Sequence, residues 1–130
     1  MSPPDEQPMI RTIAMPADTN PAGDIFGGWL MAQMDLAAGN AAARRARGRV
    51  ATAAADAMSF HAPVKVGDEV SIYARVIGIG RTSMRVKVEA WRRAGNDERQ
   101  VTEAVFTLVA LDAAGRPRPV PPESVPPEQD

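Results

Sequence analysis

No cysteine occurs in the 130-residue chain, which excludes disulfides, thiolate metal sites and a cysteine nucleophile. Histidine is almost as scarce. A zinc centre or a Ser-His-Asp triad would rest on His61 alone, so neither a metal nor such a triad is expected. Charge of one sign is lacking too. Fifteen basic and sixteen acidic residues leave a net charge of -1, so the bulk balance points to neither nucleic acid nor an anionic membrane. No apolar run reaches the ~18 residues of a membrane span. The N-terminus, Met1-Ser2-Pro3-Pro4-Asp5-Glu6-Gln7-Pro8, lacks the basic-then-apolar order of a secretory signal. A soluble cytoplasmic protein is the expectation. There is no internal repeat. What remains is 45 % hydrophobic and 24 % charged, enough for one globular domain with a modest core.

Within that chain Asp35 stands out. It is the only charged residue between Asp24 and Arg44, in the middle of the apolar run from Ile25 to Gly39. On a helix its one-turn neighbours are Met31, Ala32, Ala38 and Gly39, all apolar or small. Burying a carboxylate costs several kcal/mol unless something pairs with it. An acid kept there is a candidate for chemistry as a desolvated, more basic carboxylate; the alternative is a structural acid at a subunit interface. Upstream, Asn20-Pro21-Ala22-Gly23-Asp24 reads as a turn, with Asp24 as helix N-cap. Gly27 and Gly28 then fall in the first turn, where backbone N–H groups have no intrahelical partner. Glycine there costs roughly 1 kcal/mol each against alanine. It also lets another molecule approach free donors at the positive end of the helix dipole, or lets another backbone pack close.

The helix is expected from Phe26 to about Ala46, roughly 30 Å long. It ends in Arg44-Arg45-Ala46-Arg47-Gly48, with cations at the negative end of the dipole and Gly48 as C-cap. Met9–Met15 alternates weakly and reads as a first strand. After Gly48 the period changes to two. Strands are expected at Arg49–Phe60, Glu69–Ile79, Thr82–Arg92 and Arg99–Leu111, with a turn at residues 61–68 and a hairpin at Ala94-Gly95-Asn96-Asp97. The last strand is apolar on both faces near Val105-Phe106, as in a covered, central strand. Residues 116–130 are Pro-rich and polar and read as a disordered tail. One helix is too few to cover both faces of such a sheet, and its edges need partners. A homo-oligomer is therefore expected, built from dimers that extend the sheet edge to edge.

The stretch R-T-I-A-M-P-A-D-T-N-P-A-G-D-I-F-G-G-W-L-M-A-Q-M-D, Arg11 to Asp35, resembles the hotdog-fold acyl-CoA thioesterases, in particular the bacterial YciA type. G-R-V-A-T at Gly48–Thr52, P-V-x-V-G-D at Pro63–Asp68, G-x-T-S at Gly80–Ser83 and T-E-A-V-F at Thr102–Phe106 extend the likeness. It covers about Met9 to Pro119. The resemblance implies an α+β fold in residues 9–115, a long helix wrapped by an antiparallel sheet, paired into dimers and commonly a trimer of dimers. It implies hydrolysis of acyl-CoA without metal or cofactor, at a site shared between subunits. By position it implies Asp35 as the helix carboxylate and Asn20 as the polar loop residue contributed by the partner subunit. It implies Gly27 and Gly28 as the helix start, and Thr82 and Ser83 near the pantetheine or nucleotide part of CoA. The chain departs from the family at His61-Ala62, where an apolar and then a basic residue are expected; Arg81 and nearby cations are then candidates for the CoA phosphates. On this reading Gly27 or Gly28 N–H stabilises the oxyanion, and Asp35 either activates water or attacks the carbonyl itself. Trp29, Met31, Met34 and Phe60 either line an acyl pocket or belong to the core. The rival readings are a hotdog dehydratase or isomerase, which needs a histidine beside the acid, and a non-catalytic acyl-CoA-binding domain.

Overall fold

The period-two segments pair into one five-stranded antiparallel sheet, and the long apolar run forms the helix it curls around. The computed structural model describes residues 1–123. Strand β1 is Ile10–Ile13, helix α1 Gly27–Ala46, β2 Val50–Ala55, β3 Glu69–Ile79, β4 Ser83–Ala94 and β5 Asp97–Ala110. The sheet order is β1-β3-β4-β5-β2. This is the helix-on-antiparallel-sheet architecture that the resemblance implies.

The core is the concave face of the sheet against one stripe of the helix. Val70 and Ile72, then Met84, Val86, Val88 and Ala90, then Phe106, Leu108 and Ala110, are all buried there. The helix meets them with Leu30, Met34, Ala37, Ala38, Ala42 and Ala46, spaced three or four apart as a single face requires. Alanine over most of that stripe lets the helix axis lie close to the sheet. Strand alternation in β4 was legible residue by residue, because each core residue alternates with Arg85, Lys87 or Glu89. The hairpin turn expected at Ala94–Asp97 is present, with Gly95 at φ 63° and Ala94 paired to Asp97. Glu69, at the start of β3, is gripped by Arg93 at two 3.3 Å hydrogen bonds. Those bonds hold the Glu69 carboxyl below its ordinary range.

Several expectations need correction. Asp24 is not the N-cap. Phe26 occupies that position without a side-chain cap, and Asp24 Oδ1 instead accepts from Lys65 Nζ at 3.1 Å. Gly48 is not the C-cap either. Arg47 takes the left-handed conformation there at φ 54°, and Gly48 follows beside the Arg118 guanidinium. A Cβ on Gly48 would stand 2.6 Å from Arg118 Nη2. The strand expected at Arg49–Phe60 stops at Ala55. Beyond it the chain still runs beside β5, held by Asp56 N–H to Val105 O and His61 N–H to Val101 O. Strand β5 is an interior strand as expected, paired on one side with β4 and on the other with β2.

The tail is a strap over its first residues. Arg118 N–H donates to Ala110 O and Val120 N–H to Arg81 O. Arg118 also donates from Nη2 to Ala46 O at 2.8 Å, and Arg45 Nη1 to Pro121 O at 2.7 Å. Proline and charge composition hid this, because the strap is held by backbone and guanidinium bonds, which composition does not record. The remainder of the expected tail, residues 124–130, lies outside the described residues.

Candidate active site

The loop before the helix folds on itself. Asn20 Oδ1 accepts from both Ala22 N–H and Asp24 N–H, each at 3.0 Å, and Asn20 N–H donates to Asp24 O at 2.7 Å. Asn20 is thus the organiser of its own turn, the role its side chain fits best before Pro21. The loop closes with Phe26 N–H on Asp18 O and delivers Gly27 as the first helical residue. Gly27 lies against Phe60, whose Cζ would be 3.5 Å from a Cβ there; at Gly28 a Cβ would meet nothing within 4 Å. Gly28 is therefore the more open of the two first-turn positions.

Asp35 follows Gly28 by seven residues, so both lie on one side of α1, roughly 10 Å apart along its axis. It also follows Met34, which faces the sheet, by one residue, and so turns away from the core. Met31, Ala32 and Leu36 are exposed beside it, Leu36 at 62 %. The expected desolvation is therefore absent within one chain: Asp35 is exposed. Its partner is Thr52 of β2, whose Oγ1 donates to Asp35 Oδ1 at 2.5 Å. Strand β2 is an edge of the sheet, bulged between Thr52 and Ala54, and Ala51, Ala53, Ala54 and Ala55 are exposed along it. Helix face and strand edge together form an uncharged, small-residue surface with one carboxylate in it.

Arg81, Thr82 and Ser83 sit at the β3–β4 turn. Thr82 O accepts from Ala110 N–H. Ser83 pairs with Val109, which pairs with Ala51, so Ser83 lies two strand spacings, about 10 Å, from β2. Arg81 is exposed at the same end. Gly27 and Phe60 thus come together, as do Asp35 and Thr52. Asn20 and Asp35 share no hydrogen bond within the chain. His61 lines a separate groove with Trp91, Glu98, Arg99, Gln100 and Glu103, away from Asp35. The residue that sequence reasoning missed is Thr52. Its signal was slight: it is the one hydroxyl in the strand Val-Ala-Thr-Ala-Ala-Ala.

Residues 22–98, more than half of the chain, match the model of the thioesterase superfamily. The chain is 47 % identical to the acyl-CoA thioester hydrolase YciA of Escherichia coli K12, over 88 % of this chain and 91 % of that one. The fold superposes on the hexameric thioesterase y2039 of Yersinia pestis with a TM-score of 0.86 and 50 % identity, covering 92 % of this chain and 99 % of that one. A hexameric hotdog-fold thioesterase of Campylobacter jejuni gives a TM-score of 0.84 at 39 % identity, covering 89 % and 91 %.

Proposed function

The chain belongs to the thioesterase superfamily, has its hotdog fold, and from that premise we propose that it hydrolyses acyl-CoA to free CoA and a carboxylic acid. The observation that carries this reading is Asp35, a lone carboxylate held by Thr52 on an otherwise apolar exposed stripe two turns from Gly28. The substrate's carbonyl oxygen meets Gly27 or Gly28 N–H, donors placed to stabilise the oxyanion as charge develops. Asp35 takes a proton from water as water adds to the carbonyl carbon, or adds itself. The C–S bond then breaks and CoA leaves as thiolate, which takes up a proton; where Asp35 itself has added, water then hydrolyses the acyl–Asp35 anhydride, releasing the carboxylic acid and restoring the carboxylate. Arg81, Thr82 and Ser83 hold the distal part of CoA. No metal or other cofactor enters these steps.

Asp35 is exposed in one chain and beside an unpaired strand edge. The proposal is that a second copy pairs along β2, desolvating Asp35 and bringing its own Asn20 to the site. Relatives named as hexamers support three such dimers per particle. The catalytic unit is residues 9–115, and its place is the cytoplasm, where acyl-CoA is made and used. No helix among the described residues is long and apolar enough to cross a membrane.

Asp35→Asn tests the reading. The shapes match, so the fold should persist while kcat falls about a hundredfold or more and KM moves less, as loss of a general base requires. Release of CoA thiol from acyl-CoA is the assay, with product mass to separate hydrolysis from hydration. A folded Asp35→Asn protein with near wild-type turnover would remove Asp35 from the mechanism.

A further inference from the structure

We propose that the end of the molecule where α1 stops is a docking surface for an anionic lipid bilayer. The net charge of -1 hides a steep asymmetry. Residues 44–49, 80–82 and 111–123 together carry seven arginines against two acids, Asp112 and Glu123. The fold draws these segments to one place. Arg118 Nη2 donates to Ala46 O at 2.8 Å and Arg45 Nη1 to Pro121 O at 2.7 Å. Val120 N–H donates to Arg81 O, and Leu111 N–H to Arg49 O. Cations are expected at the negative end of a helix dipole, but two of the seven fill that role, Arg118 at the helix end and Arg45 on the strap. The other five, Arg44, Arg47, Arg49, Arg81 and Arg116, are exposed. Among the described residues they make no ion pair. Asp112 does not neutralise them, because its Oδ1 accepts the backbone N–H groups of Ala114 and Arg116.

Free guanidinium groups suit any phosphate-bearing surface, and the neighbouring side chains select among them. Ile79 and Ile77 are 47 % and 44 % exposed, just before Gly80 and Arg81, and Pro117 and Pro119 are exposed on the strap. No aromatic residue occurs in the three segments, so nucleic-acid bases find no stacking platform. Cations for lipid phosphates, with aliphatic side chains between them to enter the headgroup layer, match a bilayer surface. Arg44 follows Asp35 by about two and a half helical turns, so it points away from the helix face assigned above to a second copy. On the hydrolase reading this surface holds the enzyme where long acyl chains partition, but the docking itself does not require that reading.

The experiment is sedimentation of the full chain with vesicles of phosphatidylcholine alone, or with about a third phosphatidylglycerol. At low salt the protein should pellet with the anionic vesicles and stay in solution with the neutral ones. Salt at about 0.5 M should release it. Each cation near an anionic surface is worth about fivefold in affinity. Arg44→Glu, Arg47→Glu and Arg116→Glu combined should therefore weaken binding about a hundredfold or more, while the same three changes to lysine should keep it within about threefold. If circular dichroism shows that the triple glutamate variant does not fold, Arg44→Glu and Arg116→Glu singly serve, at about fivefold or more each. No binding of the wild type to anionic vesicles at low salt overturns the proposal. Binding by the folded glutamate variant equal to wild type also overturns it. Tighter binding to a single-stranded RNA than to the vesicles replaces the bilayer with nucleic acid as the partner. Binding is read without substrate, so its failure leaves the thioesterase reading untouched.

Discussion

Thr52 reaches one oxygen of Asp35 and leaves the other free for water or substrate. A hydrogen bond to a charged group is worth about 1.5–3 kcal/mol, so losing it should misplace the carboxylate by a measurable amount. Thr52→Val keeps the β-branched shape and removes only the hydroxyl. Its kcat should fall about tenfold to a hundredfold with KM nearly constant, and Thr52→Ser should restore most of the rate. If Thr52→Val turns over like wild type, the contact is incidental. A second hydroxyl behaves differently. Thr102 Oγ1 is fully buried without a hydrogen-bond partner among the described residues. An unmet buried hydroxyl costs about 1–3 kcal/mol, so Thr102→Val should raise the melting temperature by a few degrees. A lower melting temperature would mean that the hydroxyl is satisfied. Asp35 was legible in the sequence because a charge inside an apolar run is visible without any fold. Thr52 was not, because a threonine in a strand is ordinary until its neighbour across space is known.

At the scale of elements, the strands and the helix span were readable because their periods are written in side-chain chemistry, two in β4 and 3.6 along α1. The ends were not. Where α1 begins and ends is set by contacts that no local pattern records: the loop closes with Phe26 N–H on Asp18 O, leaving Asp24 two residues short of the cap, and Arg118, 72 residues on, donates to Ala46 O. That guanidinium is a cation at the negative end of the helix dipole, and its Nη2 stands 2.6 Å from where a Cβ on Gly48 would be. Arg118→Ala should therefore lower stability by about 1–2 kcal/mol, a fall of several degrees in melting temperature. Gly48→Ala should be harmful with Arg118 present and neutral or favourable with Arg118→Ala, where the added Cβ finds empty space. Thermal melts of the four proteins form a double-mutant cycle. Equal cost of Gly48→Ala in both backgrounds would dissociate the glycine from the guanidinium.

At the scale of the molecule, one chain leaves an apolar edge uncovered. Strand β2 carries exposed alanines and no charge to discourage pairing, the opposite of a protected edge. Asp35 and the exposed Met31 and Leu36 adjoin it, so covering the edge also encloses the carboxylate. Two readings of Asn20 follow. If it serves the partner's site, Asn20 and Asp35 that act together come from different chains. If it acts only by shaping its own turn, through the bonds to Ala22 and Asp24, then it supports Gly27 and Asp35 of its own chain. Mixing decides between them. Asn20→Ala and Asp35→Asn proteins, each inactive, are dissociated together and reassembled. On the shared-site reading random pairing leaves up to about a quarter of sites wild type at both positions, and activity returns to that extent. On the own-turn reading every site keeps a defect and none returns. Sedimentation must show mixed oligomers in the same sample. Recovery near a quarter is the expected result, and its absence in verified mixtures would confine Asn20 to its own subunit.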